Sequence, residues 1–173
     1  MGDLDALVEE AKAGNREAFG DLLRMEVGTA FRVARVIVRT DAAAQDAVQE
    51  ACIRAWRDLP RLRDSSRWAG WFRQVVVRSA IDEARRDGRA RRPGPILDPV
   101  TPDAADALAR RDLVARALAG LGPDERALLA LRFVADLEVP DLARTLGIPE
   151  GTAKSRLHRS LAKLRTRLLE MDR

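Results

Sequence analysis

The stretch that decides the fold is residues 137–161, LEVPDLARTLGIPEGTAKSRLHRSL. It predicts a short helix from about Val139 to Leu146, a turn at residues 147–149, and a second helix that starts at about Glu150. The positions expected to face inward are apolar, and they are Leu142, Ala143, Leu146, Ile148, Ala153, Leu157, Leu161 and Leu164. Two helices joined by a tight turn that contains glycine form a helix-turn-helix.

The outer face of the second predicted helix is basic and polar. Its residues are Thr152, Lys154, Ser155, Arg156, His158 and Arg159. The first turns of such a helix enter the major groove of DNA, where these side chains reach base edges and phosphates. The alternative is an amphipathic helix whose exposed side is basic without a partner. The spacing of the turn and the basic C-terminus favour DNA binding.

The net charge of +4 is distributed in four alternating blocks. Residues 1–60 carry 8 basic and 11 acidic side chains, and residues 61–92 carry 10 and 4. Residues 93–150 carry 6 and 10, and residues 151–173 carry 7 and 2. Two separate basic blocks indicate contact with a polyanion at two places, although two solvated helix faces would give the same pattern.

Composition excludes several classes of protein. An apolar share of 46% excludes wholesale disorder, no apolar run approaches the ~20 residues of a membrane span, and the acidic N-terminus is not a signal peptide. One cysteine, Cys52, and one histidine, His158, exclude a disulfide framework and a zinc site rich in cysteine. We therefore expect a soluble, cytoplasmic protein with no catalytic site, no metal and no cofactor, in which Cys52 is a small core residue.

Almost every segment has helical periodicity, which predicts an all-α chain. Asn15 is suited to cap one helix at its N-terminus, and either Thr40 or Asp41 is suited to cap the next. From residue 92 onward, four prolines within eleven residues exclude a helix interior. The sequence therefore predicts two small helical domains, residues 1–92 and 108–173, joined by a flexible proline-rich linker at 93–107.

Three further stretches carry a family resemblance. They are DAVQEACIRAWR at 46–57, RWAGWFRQVVVRSAIDEARR at 67–86, and LGPDERALLALRF at 121–133. With the predicted helix-turn-helix, they resemble regions two and four of the bacterial extracytoplasmic-function sigma factors, in the family's order and over nearly the whole chain. The resemblance implies a promoter-specificity subunit that binds core RNA polymerase and promoter DNA, and it implies control by an anti-sigma factor.

The resemblance also assigns residues in the N-terminal half. Asp46, Gln49 and Glu50 lie on one helix face and are implied to bind the β′ clamp helices, whereas the β flap is implied as a further polymerase contact; a solvated polar face is the alternative. The implied pocket for a flipped minus-ten base comprises Leu62, Arg63, Asp64 and Ser65. The residues implied to hold the single strand are Arg73, Arg78, Arg85 and Arg86.

Some positions depart from the family or are expected to be structural. Arg78 stands where the family often has asparagine. Glu138 stands at the start of the helix-turn-helix where serine is usual, and it is expected to be a weaker cap. Trp68 and Trp71 are expected to pack in the core. Asp82 is expected to cap or to pair with Arg85 or Arg86, and not to contact DNA.

Two other functions compete with this interpretation. A stand-alone helix-turn-helix regulator would bind DNA without polymerase and would leave the Asp46 face unexplained. A helical protein that mimics a sigma factor and sequesters a regulator would not need the basic faces.

Overall fold

The computed structural model describes residues 3–87 and 104–171, and within these residues all regular structure is helical. The α-helices are α1 (Asp3–Lys12), α2 (Arg16–Val38), α3 (Asp41–Asp58), α4 (Trp68–Asp87), α5 (Ala104–Ala119), α6 (Pro123–Phe133), α7 (Val139–Leu146) and α8 (Glu150–Met171). Short 3-10 turns lie at Leu59–Arg61 and Ser65–Arg67. The all-α prediction is confirmed. The proline run falls outside the described residues, and none of the described helices has the length and apolarity that a bilayer crossing requires.

Side-chain caps begin the second and third helices as the sequence predicts. The Asn15 carboxamide oxygen accepts hydrogen bonds from the backbone N–H groups of Glu17 and Ala18, at 3.0 and 3.2 Å. The Thr40 hydroxyl oxygen accepts one from Ala43 N–H at 3.3 Å. Both caps satisfy backbone donors that have no partner inside the helix.

An aromatic cluster fixes the core of the N-terminal half, where α1 to α4 pack together. The rings of Phe19 and Trp56 lie 5.0 Å apart, and Trp68 stacks on Phe72 at 5.2 Å. Trp68 is 1% exposed, so its predicted core role is confirmed, whereas Trp71 is half-buried. This packing positions α4 so that Arg78, Arg85 and Arg86 face outward.

In the C-terminal half, α8 packs against α5, α6 and α7. Its buried positions are Ala153, Leu157 and Ser160, and Leu164 is half-buried. The prediction that Leu161 faces inward was wrong, because Leu161 is 36% exposed and the neighbouring Ser160 is 1% exposed. Residues 153, 157, 160 and 164 follow one face of the helix, because they are separated by four, three and four residues. Leu161 lies beside that face.

The two halves pack against each other, with α6 against α2 and α4, and α7 against α4. The guanidinium of Arg126, which is 6% exposed, donates from Nε to the carbonyl of Ile37 at 2.7 Å and from Nη1 to the carbonyl of Leu121 at 2.6 Å. Ile37 lies in the last turn of α2, where helix carbonyls lack amide partners. Burial, and secondarily the charge of Arg39, lowers the pKa of Arg126 to about 10, so the group stays charged at neutral pH. Nothing in the residue pattern predicts this contact.

Candidate nucleic-acid interface

The geometry of α7 and α8 is that of a helix-turn-helix. Gly147 ends α7 with a φ of 67°, in the left-handed region that favours glycine. Its N–H donates to the carbonyl of Arg144 at 3.2 Å, and the N–H of Ile148 donates to that of Ala143 at 3.1 Å. Glu138 makes no side-chain cap to α7, as expected from its replacement of serine. The turn therefore places the first turns of α8 at the surface.

The outer face of α8 is open and carries the predicted DNA-reading residues. Lys154, Ser155, Arg156, His158 and Arg159 are exposed, and Thr152 is half-buried. The Ser155 hydroxyl donates to the Thr152 carbonyl at 3.1 Å, and Arg159 Nε donates to the Ser155 carbonyl at 3.3 Å. These local bonds orient the two side chains and leave the rest of the Arg159 fork available.

Two residues of the predicted base pocket hold their own loop in place. The Asp64 carboxylate accepts from the Ser66 hydroxyl at 2.6 Å and from the Ser66 N–H at 3.1 Å, and the hydroxyl bond is the main reason that the pKa of Asp64 lies below its usual value. The Ser65 hydroxyl donates to the carboxylate of Glu9 on α1, and this bond lowers the pKa of Glu9. Asp64 and Ser65 thus position the loop.

The predicted arginines of α4 differ in their surroundings. Arg73 is half-buried, and Arg78, Arg85 and Arg86 are exposed. Arg85 Nη2 donates to both carboxylate oxygens of Asp124 on α6, at 2.9 and 3.1 Å. One predicted DNA contact is therefore occupied by an acidic residue from the other half.

The expected partner of Asp82 was wrong. Asp82 pairs with Arg54 of α3 at 3.4 Å, and Arg86 pairs with Glu83 at 3.2 Å. Asp82 faces α3 because α4 packs closely against that helix. This pairing crosses between helices, and spacing along one helix cannot reveal it.

Two clefts between the halves collect many of the predicted DNA-contact residues. The first, of about 680 Å³, is lined by Arg78 and Arg85 of α4 and by Arg156 and Arg159 of α8. The second, of about 610 Å³, places the predicted minus-ten residues opposite the start of the helix-turn-helix. Its lining includes Leu62, Arg63, Asp64, Arg73, Leu137, Asp141 and Arg144. The first cleft therefore brings together residues that were predicted for two separate DNA elements. Thr152, Lys154, Ser155 and His158 lie outside the linings of both clefts.

The predicted polymerase face on α3 is acidic, and an exposed apolar residue follows it about one turn further along the helix. Asp46 and Gln49 are exposed, and Glu50 is half-buried. Glu50 accepts from Arg54 Nε at 2.7 Å, which raises the pKa of Arg54. Ile53 is 64% exposed on the same face. Ile53 was not predicted as part of this face, although its spacing of four from Gln49 and seven from Asp46 places it there.

The described residues contain no group of three or more His, Cys, Asp or Glu side chains placed to hold a metal ion. Cys52 is a half-buried free thiol, and burial raises its pKa. A protonated thiol on a partly covered face has the character of a packing residue.

Two known families match the chain, one in each of its two helical halves. Residues 22–90 match Sigma-70 region 2, and residues 111–164 match Sigma-70, region 4. The two matches follow each other along the chain and include the α3 face, the α4 arginines and the helix-turn-helix.

Relatives and solved structures resemble nearly the full length. The chain is 36% identical over 155 residues to the ECF RNA polymerase sigma factor SigM of Mycobacterium tuberculosis, covering 88% of this chain and 78% of that protein. It is 33% identical over 172 residues to the ECF RNA polymerase sigma factor SigL of the same species, covering 96% and 97%. The structure of CnrH in complex with the cytosolic domain of CnrY aligns with a TM-score of 0.74 at 26% identity, over 98% of this chain and 99% of that one.

Proposed function

The chain belongs to the extracytoplasmic-function RNA polymerase sigma factors, and from this premise we propose how its residues divide the work of promoter recognition. As a member of that family it binds core RNA polymerase and directs transcription initiation from specific promoters. Region 2 serves the minus-ten element and region 4 the minus-thirty-five element. Its action is recognition, and we assign it no catalytic step of its own.

We propose that the outer face of α8 reads the minus-thirty-five element. The exposed side chains of Lys154, Arg156, His158 and Arg159 support this most directly, since the turn at Gly147 presents them within the first three turns of a recognition helix. Arginine and lysine donate to guanine edges and to phosphates in the major groove. Thr152 and Ser155 add neutral hydrogen-bonding groups to the same face.

The minus-ten element is assigned to α4 and the loop before it. Arg63 is exposed beside the half-buried Leu62, in a loop that Asp64 and Ser65 hold. A base removed from the stack needs a rigid pocket and a basic surface for its backbone. Arg73, Arg78, Arg85 and Arg86 supply that surface along one helix.

Core polymerase is assigned to the α3 face. Asp46, Gln49 and Glu50 suit a basic partner such as the β′ clamp helices, and the exposed Ile53 adds an apolar anchor beside Glu50 on the same face. Apolar anchors ringed by polar residues are typical of protein interfaces. The C-terminal half is assigned to the β flap on the family resemblance alone.

We further propose that an anti-sigma factor controls the chain and that both act in the cytoplasm. CnrH, which is similar over its whole length, is described in complex with the cytosolic domain of CnrY. An acidic and apolar partner would match the first cleft, whose lining includes Arg78 and Arg156.

Run-off transcription with core polymerase and a library of promoters tests the proposal. We expect initiation from a discrete subset, lost when Asp46 and Glu50 or Lys154 and Arg159 are replaced together by alanine, and retained in Arg165→Ala. Arg165 is an exposed control further along α8. DNA binding that is equally strong without core polymerase, with no initiation, would instead identify a stand-alone regulator.

A further inference from the structure

The first helix lies against the loop that is assigned to the minus-ten base. α1 packs on the 3-10 turns at both ends of this loop, Leu59–Arg61 and Ser65–Arg67. Val8 of α1 is fully buried and Ala11 is 3% exposed, so the helix is anchored in the core of the N-terminal half. The loop is therefore supported by a helix that precedes residues 22–90, the part of the chain that matches Sigma-70 region 2.

One side-chain contact joins α1 to the loop. The Ser65 hydroxyl donates to the carboxylate of Glu9, which is 56 residues away along the chain. Glu9 also accepts from the ammonium group of Lys12 at 2.9 Å. Both bonds lower the pKa of Glu9, the bond from Ser65 more strongly, so the carboxylate is ionised at neutral pH and only accepts hydrogen bonds. The single proton of the Ser65 hydroxyl is therefore directed towards α1.

The other polar side chains of the loop bond to close neighbours along the chain. Asp64 accepts from the hydroxyl and the N–H of Ser66 at 2.6 and 3.1 Å, and it pairs with Arg67 at 3.2 Å. These contacts shape the loop and do not connect it to another helix. Among the described residues, the bond from Ser65 to Glu9 is the one polar side-chain contact that attaches the loop to a neighbouring helix.

Arg63 is the cation that this loop presents to solvent. Its side chain is exposed, and it forms no hydrogen bond or ion pair with any residue that the structure describes. The five N–H donors of its guanidinium are thus available to a base edge or a phosphate. Leu62 and Asp64, on either side of it, have extended backbone conformations. The direction of Arg63 therefore depends on the contacts that hold the loop.

We infer, on the premise of the proposed function, that Glu9 is a positioning residue for the minus-ten element, which acts through Ser65 to hold the loop in the conformation that receives an unstacked base. Glu9 does not contact DNA. It restricts the loop before the base arrives, and a loop that is already ordered loses less conformational entropy on binding. Loss of Glu9 therefore weakens recognition of the base and leaves the phosphate contacts of Arg78 and Arg86 on α4 unchanged.

The first test measures how tightly the holoenzyme binds a single-stranded minus-ten oligonucleotide from the best promoter of the run-off library. A second probe has the same backbone and an abasic nucleotide at the position where base loss weakens binding most. Because both probes carry the same phosphates, the ratio of their affinities reports recognition of the base alone.

We expect Glu9→Ala to lower this affinity ratio about two- to tenfold, the factor that corresponds to one hydrogen bond, and to leave the affinity for the abasic probe unchanged. Glu10→Ala is the matched control, because it removes an equal charge from the next position of α1. Glu10 accepts from Asn15 Nδ2 at 3.2 Å and does not bond to the loop. This control should keep the ratio of the unsubstituted holoenzyme.

The second test is a double-mutant cycle on the same affinity ratio. Ser65→Ala removes the same bond from the loop side, so Glu9→Ala should add nothing in a Ser65→Ala background. Glu9→Gln removes the charge and keeps an oxygen that accepts from Ser65, so this variant should retain most of the ratio. Circular dichroism of each variant verifies that the helices are intact.

An unchanged ratio in Glu9→Ala, an equal loss of affinity for both probes, or additive effects of Glu9→Ala and Ser65→Ala would overturn the inference and leave the proposed function standing. If the unsubstituted holoenzyme instead binds the intact and abasic probes equally at every minus-ten position, the loop receives no base. That result would contradict the assignment of the minus-ten element itself.

Discussion

Replacing Arg126 with methionine tests how strongly one buried cation couples the two halves. A hydrogen bond from a charged donor contributes about 1.5–3 kcal/mol, so the bonds to Ile37 and Leu121 contribute about 3–6 kcal/mol together. Against this, burial lowers the pKa of Arg126 to about 10, which corresponds to a cost of about 3 kcal/mol for the charge. Methionine retains much of the apolar contact. We therefore expect Arg126→Met to lower the free energy of unfolding by about 2 kcal/mol and Tm by about 4–8 °C.

The chain provides its own reporters for the measurement. All three tryptophans, Trp56, Trp68 and Trp71, lie in the N-terminal half, so fluorescence follows that half, whereas circular dichroism follows helices in both. In urea, the two signals should change together in the unsubstituted chain and separate in Arg126→Met. The control Arg132→Met should shift the midpoint without separating the signals. Coincident transitions in Arg126→Met, at the midpoint of the unsubstituted chain, would refute the coupling.

Three further predictions concern single side chains. Lys154→Ala should reduce the salt dependence of promoter binding by the holoenzyme by about one phosphate contact, measured as the slope of log affinity against log salt, and Arg165→Ala should not. Ile53→Ala should weaken binding to core polymerase about tenfold in a fluorescence titration, because an apolar side chain of this size contributes about 1.5–3 kcal/mol when buried; an unchanged affinity would remove Ile53 from the interface. The bond from Lys163 lowers the pKa of Glu125 in the folded chain. Its stabilising effect is therefore present above the ordinary pKa and is lost as the pH falls through the lowered one. In Glu125→Gln, the free energy of unfolding measured in urea should depend less steeply on pH below about 4.5, and an unchanged slope would contradict this.

Local structure could be predicted from the sequence because the signals are local. Asn15 and Thr40 cap helices through bonds to amides two or three residues ahead, and Gly147 adopts the left-handed conformation that a tight turn requires. The predicted all-α fold and the helix-turn-helix follow from such rules. The error at Leu161 has a different origin, because two adjacent residues compete for one stripe. Only the packing of α8 against the other helices decides that Ser160 is buried.

The sequence predicts which residues belong to the candidate site, and it does not predict how those residues are arranged in space. Spacing along α4 or α8 identifies basic faces, but it contains no information on which helix lies opposite. The pair between Arg85 and Asp124 spans 39 residues, and the bond from Arg126 to Ile37 spans 89. Contacts of that separation depend on how whole helices pack, and the pairing of Asp82 with Arg54 was missed for the same reason.

The bond between Arg126 and α2 is chemically one-sided, and this has an evolutionary consequence. Its acceptor is the backbone carbonyl of Ile37, which every amino acid would supply at that position. Substitutions in α2 that preserve the helix therefore cannot remove the acceptor, and the bond from Arg126 survives sequence changes in that helix. The strength of this bond between the halves therefore depends on the side chain at position 126 of α6.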